Sequence, residues 1–267
     1  MRLRGKTAIV TGAGRGIGRA IVRSFIQEGA SVLALGRNHS DLEHTLSGES
    51  GSSFARTCDV RDRTAVDDAV VAAIERWGRI DVFVNNAGVE DATPMLQVDH
   101  DAWRNVIETN LTAAFVTSQR VAQQMRAQGT GGVLLHTASI DAHGADGPFI
   151  AYNASKAGLL GLNRTLAVEL AEYGIRSNCV SPGFVDTEMT ERAVGPATKD
   201  YLSTRFDRVP IRRLIRCDEI AAAFVFLASD DATAITGIDL RVDGGVTANL
   251  YILETIPTVT TTQEDHT

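Results

Sequence analysis

A chain of 267 residues with 44% hydrophobic and 22% charged residues has the makeup of a globular protein that buries a sizeable core. Its net charge of −7 and pI near 5.4 exclude a nucleic-acid-binding surface, because neutralising phosphates needs a basic patch. The opening MRLRGKTAIV has too short an apolar run for a secretory signal. The longest apolar run, 220–228, falls far below the roughly 20 residues that cross a bilayer. Cys58, Cys179 and Cys217 show neither metal-ligand spacing nor a disulfide framework, so no metal site and a reducing, cytoplasmic setting are expected.

In chain order, short β-rich runs alternate with segments of helical period. TAIVT (7–11) reads as a first strand, followed by a glycine-rich turn and a helix marked by Ile17, Ala20, Ile21 and Phe25. SVLAL (31–35) and SSFARTCDV (52–60) are the next strands, then a helix on Val66, Val70 and Ile74, then the strand IDVFVNN (80–86). A long helix is expected near 100–127, with the strand GVLLHTAS (132–139) after it. Leu159, Leu162, Leu166 and Leu170 mark the core stripe of another helix; IRSNCVSP (175–182) and IDLRVDGG (238–245) are the last strands. Alternating strand and helix imply a parallel sheet with helices on both faces, forming one α/β domain over 1–250. The segment 251–267 loses periodicity and is expected to be a mobile extension.

Ligands of such sheets bind at the carboxyl ends of the strands. There, TGAGRGIG (11–18) follows the first strand and opens the first helix. Gly12, Gly16 and Gly18 permit a tight turn, and the helix start directs free N–H groups at a phosphate. The spacing departs from G-x-G-x-x-G, since position 17 is Ile. Farther on, Lys156 stands four residues after Tyr152 in YNASK, in a chain whose only other lysines are Lys6 and Lys199. By spacing alone the pair fits either an exposed helix face or a shared chemistry.

Taken together, TGAGRGIG, NNAG (85–88), Asn110 in ETNL, Ser139 in TASI, YNASK (152–156) and PGFVDT (182–187) resemble the short-chain dehydrogenase/reductase family over roughly 3–247. The resemblance implies a single-domain Rossmann-type doubly wound sheet. It also implies an NAD(P)-dependent oxidoreductase acting on a secondary alcohol or its ketone, a small-molecule substrate. It assigns catalysis to Asn110, Ser139, Tyr152 and Lys156. It assigns cofactor contacts to Gly12, Arg15, Gly16, Ile17, Gly18, Arg37, Asp59, Val60, Asn86, Ala87, Gly88, Tyr152, Lys156, Pro182, Gly183, Val185 and Thr187. Within that set Asp59 meets the adenine amino group and Thr187 the nicotinamide carboxamide, while Asn110 holds a water linking Lys156 to solvent. A dinucleotide-sensing or scaffold protein is the rival reading, and the intact Asn110, Ser139, Tyr152 and Lys156 argue against it.

Tyrosine, with a pKa of about 10, is a poor base at neutral pH. A cation one helical turn away is expected to lower that value, which gives Lys156 its purpose. Ser139 can donate to a substrate oxygen as charge develops there. The second strand ends in Gly36 where NAD-preferring members of the resembled family carry an acid. Arg37 follows and Arg15 lies in the turn, so NADP(H) is expected over NAD(H). The alternative leaves Arg15 to solvent and an unphosphorylated ribose to Asn38. Glu90, Asp141 and His143 lean towards a sugar or polyol substrate; Phe149, Phe184 and Met189 lean towards a cyclic or acyl ketone. Residues 186–213 are expected to form a lid. Leu160 and Ala167 fall off the leucine stripe, so a second buried face and a homodimer or homotetramer are expected. No nucleic-acid or membrane partner is expected.

Overall fold

TAIVT forms β1 (Thr7–Thr11) and is buried at every position, as a strand covered on both faces must be. The computed structural model describes residues 1–49 and 51–249, so the expected extension 251–267 lies outside the described residues. The remaining strands are β2 (Ser31–Gly36), β3 (Phe54–Thr57), β4 (Val82–Asn85), β5 (Gly132–Thr137), β6 (Ile175–Pro182) and β7 (Asp239–Val242). They pair in the order β3-β2-β1-β4-β5-β6-β7, parallel throughout. Four strands are shorter than the sequence reading drew them. The trimmed ends supply the loops that carry Asp59, Asn86, Ser139 and Asp243. The order reverses between β1 and β4, and an open parallel sheet splits into a ligand crevice at that reversal.

The described residues include nine α-helices: α1 (Gly16–Gln27), α2 (His39–Leu46), α3 (Arg63–Trp77), α4 (His100–Ile107), α5 (Ala113–Gln128), α6 (Ile150–Glu169), α7 (Glu188–Val194), α8 (Pro196–Arg205) and α9 (Cys217–Ala228). Val10 and Val32 face one side of the sheet, where Phe25 of α1 and Phe224 of α9 pack. Ile9, Leu33, Phe83 and Leu134 face the other, against Val70 of α3 and Val121 and Met125 of α5. The apolar run 220–228 is thus a core helix. Among the described residues no helix is long and apolar enough to cross a membrane.

Two expectations about helices need correction. The helix expected near 100–127 is not uniform: α4 and α5 are joined by a π-helical turn, Glu108–Thr112, with one extra residue per turn. Beyond Lys156, the buried residues of α6 are Leu159, Leu160, Asn163 and Ala167, while Leu162 and Leu166 are only half-buried. The stripe facing the sheet therefore includes Leu160 and Ala167, which the leucine spacing placed off it. The spacing misled because polar Asn163 belongs to the buried face.

Candidate active site

At the crevice the glycine turn is folded hard against β4. A Cβ added to Gly12 would lie 2.8 Å from Ala87 Cα, and Gly12 has φ +63°. The turn is braced from both strand ends. Thr11 Oγ1 accepts the N–H groups of Asn86 and Ala87 at 3.0 and 3.1 Å. Asn86 Nδ2 donates to the carbonyls of Thr11 and Gly12, both at 3.2 Å, and Thr137 Oγ1 donates to Asn86 Oδ1 at 3.1 Å. No side chain caps α1 at Arg15, which leaves the leading N–H groups of this helix for a phosphate, so the turn fits a dinucleotide.

The four residues of the catalytic expectation come together from three elements. The π-helical turn aims the Asn110 amide back at the β4–α4 loop, where Oδ1 accepts from Val89 N–H and Nδ2 donates to Val89 C=O, both at 2.8 Å. Asn110 Nδ2 also reaches Ser155 Oγ at 3.1 Å, and Ser155 Oγ donates to the Tyr152 carbonyl at 2.7 Å, which ties α6 to this turn. Gly158 lets Leu111 close on α6, since an added Cβ would sit 2.7 Å from a Leu111 methyl. Ser139 Oγ accepts the Asp141 N–H at 3.1 Å and acts on the Tyr152 phenol in the direction that favours its ionised form. Lys156 is 4% exposed and donates to the Thr137 carbonyl at 2.7 Å, with Nζ 5.3 Å from the Tyr152 ring centre. Lys6 and Lys199, by contrast, form ion pairs with Asp230 and with Asp186 and Glu191.

The electrostatics reverse one expectation. Burial pushes the Tyr152 phenol far above its ordinary range, Asp141 adds to the rise, and Ser139 opposes it. Lys156 is aimed at Thr137 rather than the phenol, and burial pushes its own pKa down to about 8. Burial pushes Asp141 up to about 7, with the neighbouring Asp146 charge adding to the effect. Glu90 is raised by burial against the charge of Arg192.

The cofactor residues divide by what their side chains do. Arg15 pairs with Asp41 at 3.2 Å and Glu188 at 3.0 Å, while Arg37 is exposed and forms no ion pair among the described residues. Asn38 spends Oδ1 on the Ser40 N–H at the start of α2. Asp59 is paired with Arg61 at 2.7 Å. Ile17 packs against the core, Val60 is buried, and Val185 lies in the core itself, so these three offer only backbone to a ligand. A Cβ on Gly183 would meet Asp243 Cα at 2.8 Å, so Gly183 and Pro182 shape the exit of β6. Thr187 caps α7 through Thr190 N–H, with its methyl facing Gly16. Sequence reasoning missed the bracing by Thr11 and Thr137 and the action of the Asp146 charge on Asp141. Polar residues ending apolar strands were the available signal for the first two. His136 belongs to a buried chain, near Asn85 Nδ2 at 3.3 Å and Ser177 Oγ at 3.2 Å, and burial pushes it down to about 4. His143 is tied to Asp239 at 2.7 Å. Neither histidine bonds a residue of the catalytic expectation.

A family model described as enoyl-(acyl carrier protein) reductase matches residues 12–247. L-rhamnose 1-dehydrogenase (NAD(P)(+)) of Azotobacter vinelandii is 38% identical, covering 94% of this chain and 100% of that protein. D-threitol dehydrogenase of Mycolicibacterium smegmatis is 39% identical over 92% of this chain and 94% of that one. The 3-oxoacyl-[acyl-carrier-protein] reductase FabG of Thermotoga maritima is 36% identical over 92% and 99%. A crystal structure of a short-chain type dehydrogenase/reductase from Mycobacterium marinum superposes with a TM-score of 0.86 at 32% identity, covering 92% of this chain and 97% of that one.

Proposed function

The chain belongs to the short-chain dehydrogenase/reductase family and is an NAD(P)-dependent oxidoreductase; from that premise we propose that it interconverts a secondary alcohol and its ketone, with Tyr152 as general acid and base. The observation that supports this reading is the gathering of Tyr152, buried Lys156 5.3 Å from its ring centre, and Ser139 at the carboxyl end of the sheet. The nicotinamide, when bound, supplies or takes the hydride. The chain's own groups handle the proton. Tyr152 donates it to the oxygen of a ketone or takes it from an alcohol, and Ser139 steadies the charge on that oxygen. Lys156 and Asn110 face one another across Gly88: an added Cβ there would lie 3.7 Å from Lys156 Nζ and 3.4 Å from Asn110 Oδ1. That gap suits a water passing a proton from Lys156 outward.

NADP(H) is the favoured cofactor. Gly36 offers no carboxylate to a ribose, and an added Cβ would meet a Leu42 methyl at 3.2 Å, so the position is committed to packing. Arg37 follows with no competing ion pair among the described residues, which suits a 2′-phosphate; Arg15 contributes only by leaving Asp41 and Glu188. The relatives include sugar and polyol dehydrogenases and reductases of carrier-bound ketones, so substrate class has to be argued from the cleft itself. We further read the protein as a homodimer or homotetramer of a reducing cytoplasm, in keeping with three free cysteines. The test of the reaction is Ser139→Ala. It is expected to lower kcat by about 10²–10³, while reduced-nicotinamide fluorescence reports unchanged cofactor binding. Undiminished kcat would remove Ser139 from the chemistry.

A further inference from the structure

Three carboxyl groups converge on the reacting end of the cleft from two separate loops. Glu90 follows Val89, whose N–H and C=O are both bonded to Asn110. Asp141 follows Ser139 and bonds to it through its N–H at 3.1 Å. Asp146 follows on the same loop, and its charge acts on the Asp141 carboxyl. All three act electrostatically on the Tyr152 phenol. We propose that Glu90, Asp141 and Asp146 make this enzyme specific for an uncharged, polyhydroxylated substrate, an open-chain polyol or a free sugar, whose hydroxyls next to the reacting carbon donate to these carboxyls. The proposal rests on the alcohol–ketone reading given above.

Four features of the cleft carry it. First, none of the three carboxyls forms an ion pair among the described residues, whereas Asp59, Asp81 and Glu219 each have an arginine. Glu90 and Asp141 are half-buried and Asp146 is exposed. Arg192 and Lys156 act on the first two without closing an ion pair, and half-buried acceptors left in that state need hydrogen-bond donors. Second, burial raises Glu90 and pushes Asp141 up to about 7, so these acceptors carry less charge than their number implies, a match for neutral hydroxyls rather than for an ammonium group. Third, the aromatic residues that would line an apolar pocket pack edge-on against other rings, Phe149 at the phenol itself. Phe149 packs edge-on to Tyr152 at 6.4 Å and Phe184 to Phe206 at 4.9 Å. Fourth, Asn153 lies against the same loop, donating to the Gly144 carbonyl at 3.2 Å, and its Oδ1 is buried without a donor. A site rich in unmet acceptors rejects ligands that lack the matching hydroxyls far more sharply than a hydrophobic pocket rejects a misfit. It also repels an aldonate and gives nothing to a thioester chain.

The purified full-length chain is assayed with both nicotinamide cofactors against erythritol, threitol, xylitol, sorbitol, free xylose, an amino alcohol matched to threitol, gluconate, cyclohexanol and an acetoacetyl thioester. At least one neutral polyol or sugar is expected to exceed cyclohexanol, gluconate and the thioester by about a hundredfold in kcat/KM. Glu90→Ala and Asp141→Ala are each expected to lower the ratio of polyol to cyclohexanol kcat/KM by about tenfold or more, chiefly through KM of the polyol. Comparing two substrates in one variant cancels any effect on Tyr152. Preference for cyclohexanol or the thioester, an amino alcohol outrunning its matched polyol, or a ratio unchanged in both variants would each overturn the proposal while leaving the alcohol–ketone reading intact. Turnover of no probe with either cofactor would overturn that reading and this proposal with it.

Discussion

Arg37 and Arg15 carry the same charge at the same end of the crevice, yet the structure gives them different standing. Arg15 is held by two carboxylates, whereas Arg37 is exposed and unpaired among the described residues. Cofactor preference therefore turns on Arg37. Arg37→Ala is expected to lower the ratio of kcat/KM for NADP(H) over NAD(H) on the order of tenfold, as loss of one charge-assisted contact to phosphate would. A wild-type preference for NAD(H), or a ratio unmoved by the substitution, would count against it. This residue-level distinction was not legible in the sequence, because the partners of Arg15 come from Asp41 and Glu188, far apart in the chain. Nor was the state of Tyr152. Its four-residue spacing from Lys156 showed that both lie on one helix face, but not that Lys156 would point at Thr137 while carboxyls gathered at the phenol.

The element that places Asn110 is the π-helical turn between α4 and α5. Apolar spacing suggested one regular helix because the turn inserts its extra residue without a Gly or Pro to announce it. Its register swings the Asn110 amide onto Val89 and lets Leu111 close over Gly158. The gap left at Gly88 is bounded by Asn110 and Lys156 at ordinary contact distances for an added methyl, and Gly88 does not have a positive φ. Gly88→Ala is therefore expected to fold normally, with an unshifted melting temperature, and to lose kcat on the order of tenfold by obstructing that gap. Full activity would show that no proton passes there. The strands were easier to read. TAIVT is apolar or β-branched through both faces, and its limits, like those of IRSNCVSP, coincide with the observed ones. The glycine turn was legible for the same local reason, its residues being adjacent in the chain.

At the scale of the whole molecule, the outer side of α6 still carries apolar surface: Val168 is 79% exposed, and Phe115 on α5 is 46% exposed. We assign this surface to self-association, as the resemblance implied. Light scattering is expected to give a multiple of the 28.6 kDa chain mass, and a monomer at micromolar concentration would contradict it. The sheet order brings strand ends far apart in sequence into one crevice, which is why the motifs TGAGRGIG, NNAG and YNASK mean little singly and much together. The central claim is that this crevice performs alcohol–ketone chemistry through the Tyr152 phenol. Its most direct test is Tyr152→Phe, which removes one oxygen and leaves the edge-on packing with Phe149 in place. Following reduced-nicotinamide absorbance with a substrate the wild type accepts, the substitution is expected to lower kcat by about 10²–10⁴ with cofactor binding retained; turnover at the wild-type rate would contradict the claim.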